Sequence, residues 1–172
     1  MQVPQVYTVL IQKCLNMHKK KIKIFRITTT PISLNTLLKN QLKFINKKEE
    51  FEVVGISSPG KLLKKVAVDE EIRVIPLNMK RNISPINDLI SLINMILLIK
   101  KEQPDIVHSH TPKAGFISML ASKICNVPKR LHTVAGLPLM EANGIKKKIL
   151  LFTEWLTYKC STKVLVNSYG LK

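Results

Sequence analysis

Residues 104–115 read Pro104-Asp105-Ile106-Val107-His108-Ser109-His110-Thr111-Pro112-Lys113-Ala114-Gly115, and the change of rhythm inside this stretch decides the fold. Asp105 to His108 is a short β-branched run of the kind that forms a buried strand, and Lys113 to Cys125 directly behind it carries a helical pattern. The same alternation recurs along the chain. Ile22 to Thr28, Phe51 to Ser57, Ile72 to Leu77, Arg130 to Val134 and Lys163 to Val166 read as strands, with longer helical patterns between them. Strands that alternate with helices form parallel sheets covered by crossover helices, so the expected architecture is α/β, a Rossmann-like doubly wound parallel sheet of about six strands.

Between the first two strands Leu34, Leu38, Leu42 and Ile45 recur at helical spacing opposite Asn35, Lys39, Lys43 and Asn46, which predicts one surface helix with a single buried face. Pro85 to Gln103 is apolar nearly all round. Its polar stripe is only Asn87, Ser91 and Asn94, which predicts a helix sunk deeper against the sheet and bracketed by Pro85 and Pro104. The last helix, Ile145 to Cys160, gathers Ile145, Ile149, Phe152 and Leu156 on one face.

A chain of 172 residues with 45% hydrophobic residues and six Gly is globular and suits one domain. The 28 Lys and Arg against 11 Asp and Glu give a formal charge of +17. Such an excess either draws the chain toward polyanions or an acidic membrane face, or is a solvated surface in a sequence that favours Lys, Ile and Asn together. The basic residues are scattered, and one Trp, three Tyr and five Phe supply no stacking platform, so a nucleic-acid-binding module is the weaker alternative. Cys14, Cys125 and Cys160 are odd in number and show no C-x-x-C spacing, which fits a reducing, cytoplasmic compartment. No apolar stretch reaches the roughly 18–20 residues of a membrane span; Leu89 to Ile99 is short and contains Asn94. Residues 1–20 read as an N-terminal extension with a mis-assigned start, since Met17 precedes the basic run into the first strand, and Val9 to Ile11 is too brief for a signal peptide. The domain proper then covers residues 21–172.

In an open doubly wound sheet, ligands bind beyond the carboxyl ends of the strands where the strand order reverses. For the common order 3-2-1-4-5-6, that point lies between the first and fourth strands, which selects the loops Thr28 to Ser33 and Ser109 to Lys113. Thr29, Thr30 and Ser33 offer hydroxyls ahead of a helix whose positive end favours a phosphate or a sugar hydroxyl; Ser33 serves equally as a plain helix cap. His108 and His110 lean to the same side of their strand, so both reach toward the cleft, His110 from nearer the open end, and one imidazole is expected to be structural. Lys113 closes this loop. After the fifth strand, Thr133 and Gly136 border the same cleft, and Glu141 is the one acid in the three loops, either orienting a substrate hydroxyl or standing as a surface carboxylate. His108 and His110 lack a nearby Cys or carboxylate set for a metal, and no P-loop or G-x-G-x-x-G follows the first strand.

Together, Pro104 to Gly115 and Arg130-Leu131-His132-Thr133-Val134-Ala135-Gly136-Leu137-Pro138 resemble the family 4 glycosyltransferases of the GT-B fold, particularly those that build capsule or O-antigen polysaccharide. The likeness covers roughly Lys21 to Lys172. It implies one half of a GT-B fold, the N-terminal Rossmann-like domain on the acceptor side. The donor domain, with its paired-glutamate motif, would follow where the family continues past Val166 to Lys172, so these residues alone are expected to be inactive. The resemblance further implies transfer with retained configuration from a nucleotide sugar, expected to carry UDP, which is a substrate and not a cofactor; no cofactor is implied.

By the same resemblance His110 corresponds to the family histidine that reaches the donor sugar and steadies charge at the reacting centre, the catalytic assignment. Thr29, Thr30, Ser33, His108, Lys113, Thr133, Gly136 and Glu141 are the substrate-binding candidates. The family often carries glycines after the first strand, where this sequence has Thr29, Thr30, Pro31 and Ser33. A polyprenyl-linked or other glycan acceptor is implied, with peripheral contact to an anionic inner membrane face through Lys39, Lys43 and Lys47. A sugar-nucleotide epimerase built on the same two-domain plan is the nearest rival.

Overall fold

β1 (Ile22–Ile27) pairs in parallel on both edges, with β2 (Phe51–Ser57) on one side and β4 (Ile106–Ser109) on the other. The computed structural model describes residues 20–134 and 144–166. β3 (Arg73–Pro76) lies outside β2, and β5 (Lys129–Val134) and β6 (Lys163–Val166) extend the sheet beyond β4. The order is therefore β3-β2-β1-β4-β5-β6, parallel throughout, as the alternation of elements requires. Pro76, which cannot donate to a ladder, closes β3 at the edge of the sheet.

Helices cover both faces. α1 (Pro31–Leu37), α2 (Gln41–Asn46) and α3 (Lys61–Asp69) bury Leu34, Leu38, Leu42, Leu63 and Val66 against Val53 and Ile72. On the opposite face α4 (Pro85–Glu102), α5 (Pro112–Ile124) and α6 (Gly144–Cys160) close a larger core around Phe25, Ile27, Ile56, Val107, Met95 and Ile117. Each fully buried side chain of this size contributes roughly 1.5–3 kcal/mol, so the two-sided burial of β1 and β2 is the main anchor of the domain.

Three elements depart from the sequence reading. The helix expected over Leu34 to Ile45 is two helices, because Asn40 adopts a left-handed backbone with φ 64°. The break is held by Glu70, only 5% exposed, whose carboxylate accepts hydrogen bonds from the Asn40 N–H at 2.6 Å and the Lys43 N–H at 3.0 Å. A carboxylate there satisfies the free N–H groups that open α2. Leu34, Leu38 and Leu42 stay buried across the break, which is why their spacing read as continuous. α3 was absent from the reading; Leu63 and Val66 are its buried pair, and a right-handed crossover from β2 to β3 demands it.

α4 is the third correction. Its polar stripe faces solvent only in part: Asn94 is exposed, but Ser91 is 3% exposed and its hydroxyl donates to Asn78 O at 2.6 Å, or to Asn87 O at 2.7 Å. The chain after β3 runs along that side of the helix, where its carbonyl at Asn78 needs a donor. Ser91, Met95 and Ile99 thus form the buried line, and Ile86, Leu89, Ile90, Ile93 and Leu97 remain exposed.

Replacing Glu70 with Ala leaves the α2 N–H groups uncapped and is expected to lower the unfolding free energy by about 1–3 kcal/mol in urea denaturation, with Glu70→Gln losing less.

Candidate ligand-binding cleft

Where β1 and β4 diverge, their loops are stitched together by hydroxyls. The Thr29 and Thr111 hydroxyls lie 2.8 Å apart, the Thr29 N–H donates to Thr111 Oγ1 at 2.9 Å, and the Ala114 N–H donates to Thr29 Oγ1 at 3.3 Å. Thr111 is the N-cap residue of α5 but its side chain makes no cap within its own helix; Thr29 supplies that bond from the neighbouring loop. Ser33 lies inside α1, and its hydroxyl meets Thr30 Oγ1 at 3.1 Å instead of capping a backbone N–H.

Above this junction opens a cavity of about 1030 Å³. Its polar end holds Thr29, Thr30, Ser33 and Thr111; Leu89, Leu92, Phe116 and Ile149 from α4, α5 and α6 form an apolar wall. Lys113 and Asp88 stand between the two. Lys113 Nζ donates to Asp88 Oδ2 at 2.6 Å and to Asn82 O at 2.9 Å, with both side chains mostly buried. A large concave site with apolar walls and a few convergent polar groups is the form that small-molecule sites take.

His110 does not line this cavity. Its side chain leans the same way as His108, as expected, with ring centroids 4.1 Å apart, but the residue is 5% exposed and turned inward. The expectation that its ring points into the open groove is therefore corrected. Arg26 is the cause: its Nε–H donates to His110 Nε2 at 3.1 Å, and its Nη2 donates to Gln41 Oε1 at 3.3 Å. A guanidinium nitrogen is always a donor, so His110 Nε2 carries the lone pair and the ring hydrogen sits on Nδ1. His108 Nε2 lies 2.8 Å from Thr133 Oγ1 on the same face. Across the sheet, Ser109 Oγ meets His132 Nδ1 at 2.8 Å, and Gly115 gives this ring room, since a Cβ there would stand 2.5 Å from His132 Cε1. His132 is thus held within the packing between β5 and α5.

The cleft brings together Thr29, Thr30, Ser33 and Lys113; His108 and Thr133 do not line it and meet each other on the face of the sheet that carries Arg26. Gly136 and Glu141 fall outside the described residues. Arg26 and Asp88 were missed. The signal for Arg26 was a lone guanidinium in the middle of Ile22-Lys23-Ile24-Phe25-Arg26-Ile27, a strand with partners on both edges; Asp88 gave none, because only the fold carries it to Lys113.

Burial pushes every group in this cluster toward its neutral form. His110 falls to about 2 and His108 to about 3, burial acting first and the charge on Arg26 adding to it; His132 falls to about 4 by burial. Burial likewise brings Arg26 down to about 10.

Residues 26–168 match the family model described as glycosyl transferase 4-like. The chain belongs to this family. It is 43% identical over 154 residues to the capsular polysaccharide biosynthesis glycosyltransferase CapM of Staphylococcus aureus, covering 89% of this chain and 39% of that protein. It is 36% identical over 103 residues, 57% of this chain and 26% of the relative, to the UDP-Gal:alpha-D-GlcNAc-diphosphoundecaprenol alpha-1,3-galactosyltransferase of Escherichia coli. The chain thus spans well under half the length of either relative. Among solved structures, a glycosyltransferase from Rickettsia africae ESF-5 superposes with a TM-score of 0.61 at 23% identity, over 88% of this chain and 38% of that one. UDP-N-acetylglucosamine 2-epimerases share the same fold, one with a TM-score of 0.65 at 18% identity over 87% of this chain and 43% of that one, so the fold alone does not separate the two activities.

The unfolded chain takes up protons on these histidines at their ordinary value of 6.5, whereas the folded cluster refuses them until far lower pH. Their stabilisation is complete above pH 6.5 and declines as pH falls toward the folded values. Urea unfolding is expected to weaken by up to about 1.4 kcal/mol per pH unit for each histidine below that point, and His132→Asn to flatten the slope by one histidine's share.

Proposed function

We propose that this chain is the acceptor-side half of a retaining glycosyltransferase that moves a sugar from a UDP-sugar to a lipid-linked glycan during cell-surface polysaccharide synthesis. The observation that carries the reading is the cavity at the strand reversal, hydroxyl-lined at one end and apolar along the other, in a chain 43% identical to a capsule glycosyltransferase. An acceptor with a sugar head and a hydrocarbon tail matches that division. The Escherichia coli relative is named for a diphosphoundecaprenol-linked acceptor of this chemical type.

In this reading the sugar head lies toward Thr29, Thr30, Ser33 and Lys113, and a nucleotide sugar held by a second domain approaches across the same rim. His110 serves the donor sugar through Nδ1–H, the ring donor that Arg26 leaves unused, and stays neutral at working pH. Catalysis rests on positioning and on stabilising the departing diphosphate, much of it by the second domain.

Membrane contact belongs to the same proposal, with a shift of place. Lys43 is paired with Glu71 on the α1–α3 side of the sheet, the side away from the cavity. The exposed apolar residues Leu89, Ile93 and Leu97 of α4 and Ile149, Phe152 and Trp155 of α6 run from the cavity mouth, with Arg81, Lys147 and Lys148 exposed nearby in the chain. Apolar side chains beside basic ones suit the interface of an anionic bilayer. Among the described residues no helix is long and apolar enough to cross a membrane.

The 172-residue chain is expected to bind a polyprenyl-diphosphate sugar saturably in vesicles and to transfer nothing from a UDP-sugar in a radiolabel assay. Absence of acceptor binding overturns the assignment, and turnover by the chain alone overturns its description as half of the enzyme. In flotation with anionic vesicles, Leu89→Glu with Phe152→Glu is expected to cut binding about tenfold or more, while Lys39→Gln with Lys47→Gln changes it less than about twofold.

A further inference from the structure

Asp88 is the one carboxylate on the cavity wall among the described residues. Its two oxygens are used unequally. Oδ2 accepts from Lys113 Nζ at 2.6 Å and from the Ser84 N–H at 3.3 Å, whereas Oδ1 is buried and has no hydrogen-bond partner in the described structure. A buried carboxylate oxygen without a donor is an unfavourable arrangement that a well-packed domain ordinarily avoids. Lys113 is also left incomplete: two of its N–H groups reach Asp88 and Asn82, and an ammonium carries three.

An acceptor oxygen and a spare N–H, fixed side by side by their own ion pair, match a ligand that donates from one group and accepts at the next. A second cation fits poorly, because Lys113 and Arg81 already outnumber the single acid on this wall. An anion would face the Asp88 charge. Neighbouring hydroxyls on a sugar ring supply a donor and an acceptor without charge, and the apolar wall of Leu89, Leu92 and Phe116 accommodates the less polar part of the molecule.

We propose that the Asp88–Lys113 pair is the specificity device of the cavity, reading two adjacent hydroxyls of the acceptor sugar, one donated to Asp88 Oδ1 and the other accepting from Lys113 Nζ. This rests on the acceptor reading above and names the groups within it. Asp88 is positioned for selection among acceptors, not for the chemistry at the donor sugar.

The test is binding of decyl glycosides of glucose, galactose and N-acetylglucosamine, with their single-deoxy analogues, to the 172-residue chain by ligand-observed NMR. For the best-binding glycoside, removal of one particular hydroxyl is expected to weaken binding to the unmodified chain by about 10- to 100-fold, and to change binding to Asp88→Asn by less than about twofold. Lys113→Met is expected to abolish sensitivity to the adjacent hydroxyl and to keep the one read by Asp88. Circular dichroism melting establishes that each variant is folded, and Asp88→Ser stands in should the Asn variant fail to fold. Equal losses for every deoxy analogue in the unmodified and Asp88 variants overturn the proposal, since a carboxylate that merely holds Lys113 would not distinguish one hydroxyl from another. If the unmodified chain binds none of the glycosides, the proposal falls together with the acceptor reading.

Discussion

The central strand β1 is hydrogen-bonded on both edges to strands that lead away in opposite directions, β2 toward one end of the sheet and β4 toward the other. Helices after β1 and β4 must therefore cross on opposite faces, and the space between their starts cannot be filled by either. The Thr29–Thr111 contact holds the two loops together at the base of that space, and Thr29 also caps α5. The His110 N–H, donating to Ile27 O at 3.0 Å, fixes the same junction through the backbone. With these ties, short hydroxyl side chains and the Lys113–Asp88 pair present a preorganised polar edge, the condition under which weak individual contacts become selective.

Just behind the rim lies a guanidinium that is 6% exposed and faces imidazole and amide acceptors among the described contacts, not a carboxylate. Burying a charge this way costs stability; Arg26 fixes the His110 tautomer, while burial first and the Arg26 charge after it hold the rings of His108 and His110 neutral. Function sites often keep such arrangements where a purely structural core would use an apolar side chain.

The two faces of the sheet differ in purpose. On the α1–α3 side Leu34, Leu38, Leu42, Leu63 and Val66 are packed while Ile32, Leu37, Phe44 and Val68 stay exposed, and Glu71 pairs with Lys43 on the surface. On the other side α4 and α6 carry far more apolar surface than their contacts bury, from Ile86 at 77% exposure to Phe152 at 58%. Patches of this kind mark surfaces that meet something other than water, and Leu89 and Ile149 carry this one onto the cavity wall.

The sheet was legible from residues alone because β-branched runs such as Ile22 to Thr28 and Phe51 to Ser57 recur between helical patterns, and chain connectivity leaves few ways to arrange them. The loop hydroxyls of the cleft were legible for the same reason, since the reversal point follows from strand order. What the linear pattern left open was orientation. Leu34 to Ile45 has one periodicity whether or not Glu70, thirty residues beyond Asn40, caps a break in it. Ser91 looks like a solvent stripe until Asn78 is folded against it, and α4 looks buried until the sheet proves to need only one of its faces. His110 reads as an exposed loop imidazole, but Arg26 on the adjacent strand draws it inward. Sequence by itself determined the α/β class and, for the common strand order, the loops at the rim, because local propensity and connectivity act along the chain; only the tertiary structure decided that order and which side chains enter the cavity, because hydrogen bonds between distant residues set both.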